Sequence, residues 1–504
     1  GLVSVPLYPN DRPDNVSYII NDADIKVLMF RDQTQWDAVS TAIPDMAQAP
    51  AFISCLPIDD QRITHQDDWV NQAANDDAAP VSVSIMDLAT IVYTSGTTGR
   101  PKGVMLSHNN ILKDAWLGIA SVDVYKEDLF LSFLPLSHTL ERTVGYYIPM
   151  MCGSSVAYCR SIPELAEDLQ NIKPTVLISV PRIFERVYGK VKTGLAEKPP
   201  IAKKLFDMAV AIGYERFLVK QGRGSSSLRH LLWPLLNKLV ASKILEKLGG
   251  RVRFAISGGA PLPKEIGETF IGLGLQILQG YGLTETSPVI SVNKIKQNIP
   301  NSIGLPLEEI QVRVSDIGEL QTRSECVMMG YWNNEKATKE TFTEDGWLKT
   351  GDLAKIDEQG YIYITGRLKE VMVLSNGEKI APVDVEMAIT LDPLIEQAMV
   401  IGEAKPYLAA IIVLNPEAWP DFAKNLGISS EQDSLRDPVV IEAVKEIIAR
   451  QMASFPGYAQ VHQISLSLEV WTDQNHLLTA SLKMNRKVIS DRFEAEIAQM
   501  YSGH

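Results

Sequence analysis

Short apolar runs rich in β-branched residues alternate with longer stretches of helical periodicity over most of the chain. The runs at residues 26–30, 89–93, 176–180 and 252–256 predict strands. Strands that alternate with helices usually join into a parallel sheet, because each return to the same edge needs a crossover segment. The sequence therefore predicts an α/β fold in which helices cover both faces of a largely parallel sheet.

Two longer helical patterns interrupt this alternation near the middle of the chain. Apolar residues recur at helical spacing over 201–217 and 228–248, and the glycine- and serine-rich residues 222–227 separate the two stretches. This segment predicts a helical hairpin.

The character of the sequence changes twice in its second half. From 304 to 365, short alternating runs with glycine-containing turns predict a β-rich layer that closes the large domain. A compact mixture of strands (397–401 and 409–414) and helices (439–454 and 488–501) follows. We expect a large N-terminal domain of layered sheets and helices at 1–366 and a small, mobile α+β C-terminal domain at 367–504.

The balance of charge limits the partners of the chain. Its 504 residues carry 48 Lys and Arg against 61 Asp and Glu, a formal net charge of −13. A surface of this sign repels nucleic-acid phosphates and anionic lipid headgroups over the whole surface, so we predict no general nucleic-acid binding. An anionic small molecule would have to meet a local cluster of cations or backbone N–H groups.

The cysteines and the start of the chain bear on its setting. The four cysteines form neither a CxxC pair nor an evenly spaced disulfide framework, which favours a reducing, cytoplasmic setting. There is no apolar run of the roughly 18 residues that a membrane span needs, and no signal-peptide pattern. The chain opens on Gly1 and runs directly into a strand-like stretch, so we expect the first part of the large domain to be missing.

Residues 93–103 concentrate glycine, hydroxyl and lysine side chains directly after a predicted strand. Glycines let backbone N–H groups turn toward an anion, hydroxyls donate hydrogen bonds or ligate a metal, and Lys102 adds a mobile positive charge. The loop is not a Walker A sequence, because Pro101 and Gly103 stand where Gly and Ser or Thr are needed. A flexible surface loop is the alternative, but the density of the pattern favours a phosphate-binding loop. Its candidate nucleotide ligands are Thr94, Ser95, Gly96, Thr97, Thr98, Gly99 and Lys102.

This loop is similar to the signature of the adenylate-forming superfamily, which includes acyl-CoA synthetases, luciferases and the adenylation domains of peptide synthetases. Further matches follow in the family's order at residues 257–261, 279–286, 350–352 and 363–370. They resemble its two nucleotide segments, its ribose-binding segment and its interdomain hinge, so the resemblance spans nearly the whole chain. It implies ATP or AMP contacts at Gly258, Gly259, Ala260, Pro261, Gly280, Tyr281, Gly282, Asp352 and Arg367.

The residue types suit these implied roles. Asp352 offers two acceptor oxygens to a ribose diol, and Arg367 is a planar donor. Glu285 is a hard oxygen ligand for Mg²⁺ beside a hydroxyl such as that of Thr97. Each of these residues alone would more often be a turn or capping residue. Their occurrence as an ordered set indicates a nucleotide site.

The resemblance also implies catalytic residues. It places His138 near the reacting carboxylate, although a histidine after an apolar run is more often a core residue. Lys483 occupies the family's lysine position, with Leu482 in place of the usual glycine, a change that resembles long-chain and bubblegum-type synthetases. Lys487 is the rival candidate, and a solvated basic patch is the alternative interpretation. The implied catalytic set is Lys483, Thr284, Glu285 and His138.

A reaction in two steps with a moving small domain is a further implication of the resemblance. Lys369 matches the hinge residue of the family. After rotation, a loop would approach the acyl-adenylate together with CoA, and its residues include Ser375, Gly377, Glu378 and Lys379. A hinge at a domain junction is what a cycle with two site geometries requires.

The inserted helical segment carries the expectation about the substrate. Residues 201–248 resemble the insertion of long-chain and bubblegum-type enzymes rather than acetate or aryl-acid ligases. We therefore expect ATP-dependent activation of a long-chain fatty acid to acyl-AMP and then acyl-CoA, with ATP, Mg²⁺ and CoA. Its apolar groups and neighbouring cations would either rest peripherally on the inner face of a membrane or pack in the core. These groups are Leu231, Leu232 and Trp233, and Phe217, Leu218 and Val219.

Two other functions stay open. One is a fatty acyl-AMP ligase that passes the acyl group to a carrier protein, although the intact hinge and residues 375–379 favour free CoA. The other, of a different class, is an inactive nucleotide-binding paralogue.

Overall fold

The computed structural model describes residues 1–9, 11–41, 43, 48–73, 81–94, 100–472, 474–479 and 483–502. A large N-terminal domain is followed by a smaller C-terminal domain after the strand Ile362–Arg367. The mixed α/β class predicted from the sequence is confirmed.

A seven-stranded sheet forms the centre of the large domain. In spatial order its strands are Leu305–Pro306, Val289–Val292, Gln276–Gly282, Phe254–Ser257, Val176–Ser179, Leu129–Ser132 and Ser155–Tyr158. The last five are parallel to one another, and the first two pair antiparallel. Every residue of Val176–Ser179 and Phe254–Ser257 is buried, as expected for strands covered on both faces.

Alternate residues of these central strands pack into two separate cores. Ile178 and Ile256 join the core formed with the helix His108–Ser121. Leu177 and Ala255 join the opposite core. That second face is covered by the helices Leu165–Ile172, Pro181–Ala196 and Lys264–Gly272.

Two of the predicted strands lie outside the central sheet, which corrects the expectation of one parallel sheet. Val27–Phe30 belongs to a three-stranded parallel sheet with Ala51–Ser54 and Ile63–His65. Leu88–Thr94 forms an antiparallel hairpin with Lys102–Ser107, because the connecting loop is too short for a parallel crossover. Gly330–Tyr331 extends that hairpin to three strands.

The predicted β-rich layer is a four-stranded antiparallel sheet. Its strands are Gln311–Val314, Glu319–Arg323, Leu348–Ile356 and Ile362–Arg367. The remaining helices of the large domain are Pro13–Asp22, Gln33–Ser40, Gln66–Ala73, the π-helix Glu141–Tyr147, Ile148–Cys152, the 3₁₀ turn Thr284–Thr286 and Glu335–Thr341.

The predicted helical hairpin is present. Its first arm is the helix Pro200–Lys220. Its second arm winds through Leu228–Leu232, Trp233–Leu236, Asn237–Ala241, Ser242–Leu245 and Glu246–Leu248, switching between 3₁₀, α and π geometry. A side chain at Gly213 would lie 1.7 Å from the carbonyl oxygen of Gly272, so a glycine permits the first arm to pack directly on the large domain.

The small domain is built on three strands, Ile395–Ile401, Leu408–Leu414 and Val461–Ser467, with a separate hairpin of Met372–Val373 and Lys379–Ile380. Its helices are Pro382–Ile389, Trp419–Asn425, Gln432–Arg436 (3₁₀), Pro438–Gln451, Gly457–Ala459 (3₁₀), Arg486–Arg492 and Glu494–Met500. The helix predicted at 488–501 is thus two helices that meet at Phe493. Among the helices in the described parts of the chain, none combines the length and apolar character that a membrane crossing requires.

Candidate active site

Two of the predicted nucleotide segments lie side by side at one edge of the central sheet. Ser257 and Gln279 are partners in adjacent parallel strands, so residues 257–261 and 279–286 leave the sheet together. Ligands of open α/β sheets bind at this carboxyl edge. Gly259, Ala260 and Pro261 are exposed there, and Gly259 has a φ of +81°, which favours glycine.

Gly282 is the last residue of the second of these strands, and the backbone of Pro288 lies very close to it. An added Cβ would lie 1.7 Å from the carbonyl oxygen of Pro288. Since that neighbour is backbone and not a flexible side chain, only glycine fits here. The short turn Thr284–Thr286 follows and places Glu285 at the same edge.

Asp352 is the centre of a buried polar cluster. The hydroxyl of Tyr281 donates to its Oδ2 at 2.6 Å, and the Nε of Arg367 donates to its Oδ1 at 2.8 Å. Asp352 and Arg367 are direct partners in adjacent antiparallel strands. Burial, together with the charge of Asp352, raises the pKa of Tyr281 well above its usual value, so the hydroxyl keeps its proton. Each carboxylate oxygen retains a lone pair that can accept a ribose hydroxyl.

Glu285 is oriented by a residue that the sequence analysis missed. The hydroxyl of Tyr331 donates to Glu285 Oε1 at 2.8 Å, and Met328 N donates to the Glu285 carbonyl at 2.9 Å. The Nζ of Lys102 lies 4.9 Å from the centre of the Tyr331 ring, which brings the end of the glycine-rich loop beside Glu285. A tyrosine at the edge of a short strand carries no sequence signal for such a role.

The donor set at Glu285 suits a divalent cation. The tyrosine hydrogen bond occupies one lone pair of one carboxylate oxygen, which leaves the others for Mg²⁺. The second proposed ligand, Thr97, lies outside the described residues.

Lys483 lies within electrostatic range of residues from both domains. Loss of hydration lowers its pKa, as does the neighbouring charge of Arg367, whereas Asp352, Glu370 and Glu285 raise it. Lys483 nevertheless keeps exposed surface. The sequence analysis named this lysine, and the structure brings it together with the nucleotide segments.

His138 belongs to the same neighbourhood. Burial, and then the charge of Lys483, lowers its pKa from 6.5 to about 4, so the imidazole is neutral near pH 7. Its Nδ1 accepts a hydrogen bond from Leu140 N at 3.2 Å, which leaves Nε2 as the N–H donor.

A partly buried ion pair holds the segment that carries Lys483. Arg486 Nη2 donates to Glu386 Oε2 at 2.6 Å, and Glu386 Oε1 accepts from Val400 N at 2.8 Å. Nearer the lysine, Thr479 N donates to the Lys483 carbonyl at 2.8 Å, and Lys483 N donates to Thr479 Oγ1 at 3.1 Å. The pairing of Glu386 with Arg486 spans 100 residues and was not foreseen from the sequence.

The predicted hinge and CoA-side loop both face solvent. Lys369 is exposed in a turn in which Glu370 N and Val371 N donate to the carbonyl of Arg367. Residues 375–379 form the exposed tip of the small hairpin, where Gly377 has a φ of +87°. Ser375 N donates to Lys405 O at 2.9 Å, so the loop is tied to the small domain.

Part of the predicted phosphate-binding loop lies outside the described residues, namely Ser95, Gly96, Thr97, Thr98 and Gly99. Thr94 and Lys102, which flank these residues, are partners in antiparallel strands. The loop is therefore closed at its base by strand pairing.

The family described as AMP-binding enzyme matches residues 1–332, and the AMP-binding enzyme C-terminal domain matches residues 369–504. The chain belongs to the AMP-binding enzymes, which confirms the resemblance to the adenylate-forming superfamily.

Within that family its relatives include named ligases. The long-chain-fatty-acid–CoA ligase FadD15 of Mycobacterium bovis is 32% identical over 100% of this chain and 84% of its own length. Long chain acyl-CoA synthetase 7, a peroxisomal protein of Arabidopsis thaliana, is 30% identical over 100% of this chain and 75% of its own length.

The fold is also found in solved structures. The adenylation domain of a carboxylate reductase from Mycobacterium chelonae superposes with a TM-score of 0.76 at 21% identity, over 99% of this chain and 76% of that one. At this identity the comparison shows a shared fold.

Proposed function

We propose that this chain is a long-chain fatty acid–CoA ligase that activates its substrate with ATP to an acyl-adenylate and then transfers the acyl group to CoA. The observation that carries the proposal is the buried cluster in which Tyr281 and Arg367 hold the Asp352 carboxylate. Lys483 of the small domain lies within electrostatic range of this cluster and of Glu285. The full-length similarity to proteins named long-chain-fatty-acid–CoA ligases supports the substrate class.

In the first step a carboxylate oxygen attacks the α-phosphorus of ATP, and the bond to pyrophosphate breaks. Two anions must approach each other, so local positive charge is needed in a chain with a net charge of −13. Lys483, Lys102 and the backbone of residues 94–99 supply this charge. Thr284 and neutral His138 act as further donors at the reacting groups.

Asp352 receives the ribose hydroxyls, while Tyr281 and Arg367 hold its carboxylate in place. Gly258, Gly259, Ala260 and Pro261 lie against the base, and Gly280 and Gly282 keep the neighbouring backbone close. Glu285 and Thr97 would hold Mg²⁺, which would supply charge compensation for the phosphates when bound.

In the second step the thiolate of CoA attacks the acyl carbonyl, and AMP leaves. One arrangement of side chains does not suit both steps, so we propose that the small domain rotates about Lys369. The proposed domains are 1–366 and 367–504. Rotation withdraws Lys483 and presents Ser375, Gly377, Glu378 and Lys379, which now face solvent, to the pantetheine arm.

We also propose a cytoplasmic location with peripheral contact to the inner face of a membrane. The four cysteines are all free thiols. Fatty acids with long chains partition into bilayers, so a ligase that reaches the bilayer surface meets its substrate there.

The test is pyrophosphate release with Mg-ATP in the presence of acetate, octanoate, palmitate or no acid, with CoA added or withheld. We expect release that depends on palmitate and formation of palmitoyl-CoA. Lys483→Ala should slow adenylation by about 10²–10³-fold, the typical effect of losing a transition-state donor. Lys487→Ala, which removes an exposed lysine in the same segment, is the matched control.

Three outcomes would contradict the proposal in different ways. An adenylate that accumulates despite CoA would indicate a fatty acyl-AMP ligase. ATP binding without turnover would indicate an inactive nucleotide-binding protein. Loss of activity in Lys487→Ala but not in Lys483→Ala would reassign the catalytic lysine.

A further inference from the structure

The second arm of the helical hairpin has two apolar faces, and only one of them is covered. Its inner face packs Leu236 and Ala241 against the helix Pro200–Lys220 and against Leu273. Its outer face carries five exposed leucines, Leu228, Leu231, Leu232, Leu235 and Leu239. Leu228, Leu231, Leu235 and Leu239 recur at intervals of three and four residues, and Leu232 adjoins Leu231, so the exposed leucines form one stripe along this arm.

The exposure of this stripe is unusual for leucine. Leu228 is 85% exposed, Leu231 77% and Leu235 58%. Single exposed apolar residues are common on protein surfaces, but a contiguous apolar stripe of this kind marks an interaction surface. The sequence analysis left open whether these apolar residues pack in the core. Leu231 and Leu232 are exposed and do not, whereas Trp233 is partly buried against the core and Phe217 is buried in it.

The charge around the stripe is positive in a protein that is negative overall. Residues 228–248 contain four Lys and Arg and one acidic residue, Glu246, whereas the whole chain has a net charge of −13. Arg229 pairs with Glu215 at 3.1 Å, so its charge is partly compensated. Lys238 and Lys243 are exposed on the helix itself and border the leucines.

We propose that this helix, residues 228–248, docks on the surface of a bilayer that contains anionic lipids. An apolar stripe bordered by lysines is the pattern of a helix that lies in the membrane interface, with leucines in the acyl region and ammonium groups among the phosphates. Anionic lipid fits because the local charge is opposite to its own. This inference rests on the proposed membrane contact of the enzyme and specifies the surface that makes it.

A second copy of the chain fits this surface less well. In a two-fold contact along the stripe, the lysines of one copy would approach those of the other. Like charges brought together in this way oppose association. A bilayer with anionic headgroups places opposite charge beside the same lysines.

The experiment is sedimentation of the full chain with vesicles of phosphatidylcholine alone and of phosphatidylcholine mixed with phosphatidylglycerol. We expect binding to the mixed vesicles that weakens with salt. The double variant Leu231→Ser with Leu235→Ser should bind at least about tenfold more weakly, because each leucine loses apolar contact with the acyl region. Lys238→Glu with Lys243→Glu should lose most of the preference for anionic vesicles.

Matched controls change the same chemistry elsewhere on the surface. Ile317→Ser removes an apolar side chain that is 65% exposed in a distant turn, and Lys336→Glu reverses an exposed charge. Both should bind vesicles as the parent chain does. The proposal would be overturned if the wild-type protein failed to bind the mixed vesicles. It would also be overturned if the leucine variant bound them as tightly as the parent chain.

Two further measurements separate this inference from other causes. If the leucine variant turns a concentration-dependent dimer into a monomer, the stripe is an interface between copies and the proposal is wrong. Pyrophosphate release with palmitate carried by serum albumin tests the ligase function without a membrane. Vesicle binding without ligase activity would support the proposed docking surface and refute the proposed function. Ligase activity without vesicle binding would refute only the docking surface.

Discussion

The contact between Arg182 and Glu396 joins the two domains, and removing it should affect the two half-reactions differently. Arg182 lies in the first turn of the helix Pro181–Ala196 of the large domain. Its Nη2 donates to Glu396 Oε1 at 2.7 Å, and its Nη1 donates to the Glu396 carbonyl at 3.0 Å. This contact belongs to the arrangement in which Lys483 meets the nucleotide site. We expect Arg182→Ala to weaken that arrangement.

The size of the effect follows from the partial burial of the pair. The side chains of Arg182 and Glu396 are 34% and 21% exposed, so the contact lies between a surface ion pair and a buried one. Its loss should cost about 1–2 kcal/mol. That free energy changes the ratio of two conformations by about 5- to 30-fold. Glu185, 3.7 Å from Arg182, would then face Glu396 without an intervening cation, which acts in the same direction.

The assay measures the two half-reactions separately. Adenylation is followed as pyrophosphate release without CoA, and transfer is followed from purified acyl-adenylate to CoA. We expect adenylation by Arg182→Ala to slow by up to about 30-fold, while transfer is not slowed. Arg186→Ala, which removes an exposed arginine from the same helix, should change neither.

Two results would refute this reasoning. One is an equal slowing of both half-reactions, which would indicate general destabilisation. The other is wild-type adenylation by Arg182→Ala. A charge exchange, Arg182→Glu with Glu396→Arg, should restore part of the adenylation rate if the ion pair is responsible.

Three further changes test other parts of the structure. The carboxyl of Glu141 is buried, and burial raises its pKa from 4.5 to about 7. The stability that this group contributes is therefore fully present below its unfolded pKa, and it is lost as the pH rises through 7. In urea unfolding, the free energy of unfolding of Glu141→Gln relative to the parent chain should therefore rise by up to about 3 kcal/mol from about pH 5 to about pH 8. An equal difference between variant and parent at both pH values would contradict this. Tyr331→Phe removes the 2.8 Å hydrogen bond to Glu285 and should raise the KM for Mg-ATP by about fivefold, whereas an unchanged KM would argue against a role for that bond. Gly282→Ala should lower stability by about 1–3 kcal/mol in thermal melts, with Gly189→Ala, whose added Cβ meets nothing within 4 Å, as the control. A wild-type melting temperature for Gly282→Ala would show that the backbone near Pro288 yields.

Several elements could be predicted from the sequence because the forces that form them are local. The strand Val176–Ser179 was expected at 176–180 from its apolar, β-branched run. The helix Pro438–Gln451 begins at a proline after Asp437, whose side chain accepts from Val439 N at 2.8 Å. The nucleotide segments were likewise recognisable, since the glycines and acceptors of each stand within a few residues of one another.

The assignment of strands to sheets was not a local property. The run at 89–93 reads like the strands of the parallel sheet, yet Leu88–Thr94 pairs antiparallel with Lys102–Ser107. The return loop allows only a hairpin, and that constraint outweighs the composition of the strand. The predicted helix at 488–501 is likewise two helices that meet at Phe493, a buried aromatic residue of the small-domain core.

The sequence by itself determined the elements and the chemical types of the nucleotide ligands, because periodicity, turn residues and motif spacing act over short distances along the chain. Only the tertiary structure decided which groups act together. Tyr281 reaches Asp352 across 71 positions, and Arg182 reaches Glu396 across 214. Such contacts depend on how sheets and domains pack, and a single sequence carries no local signal for a hydrogen bond that forms only after the chain has folded.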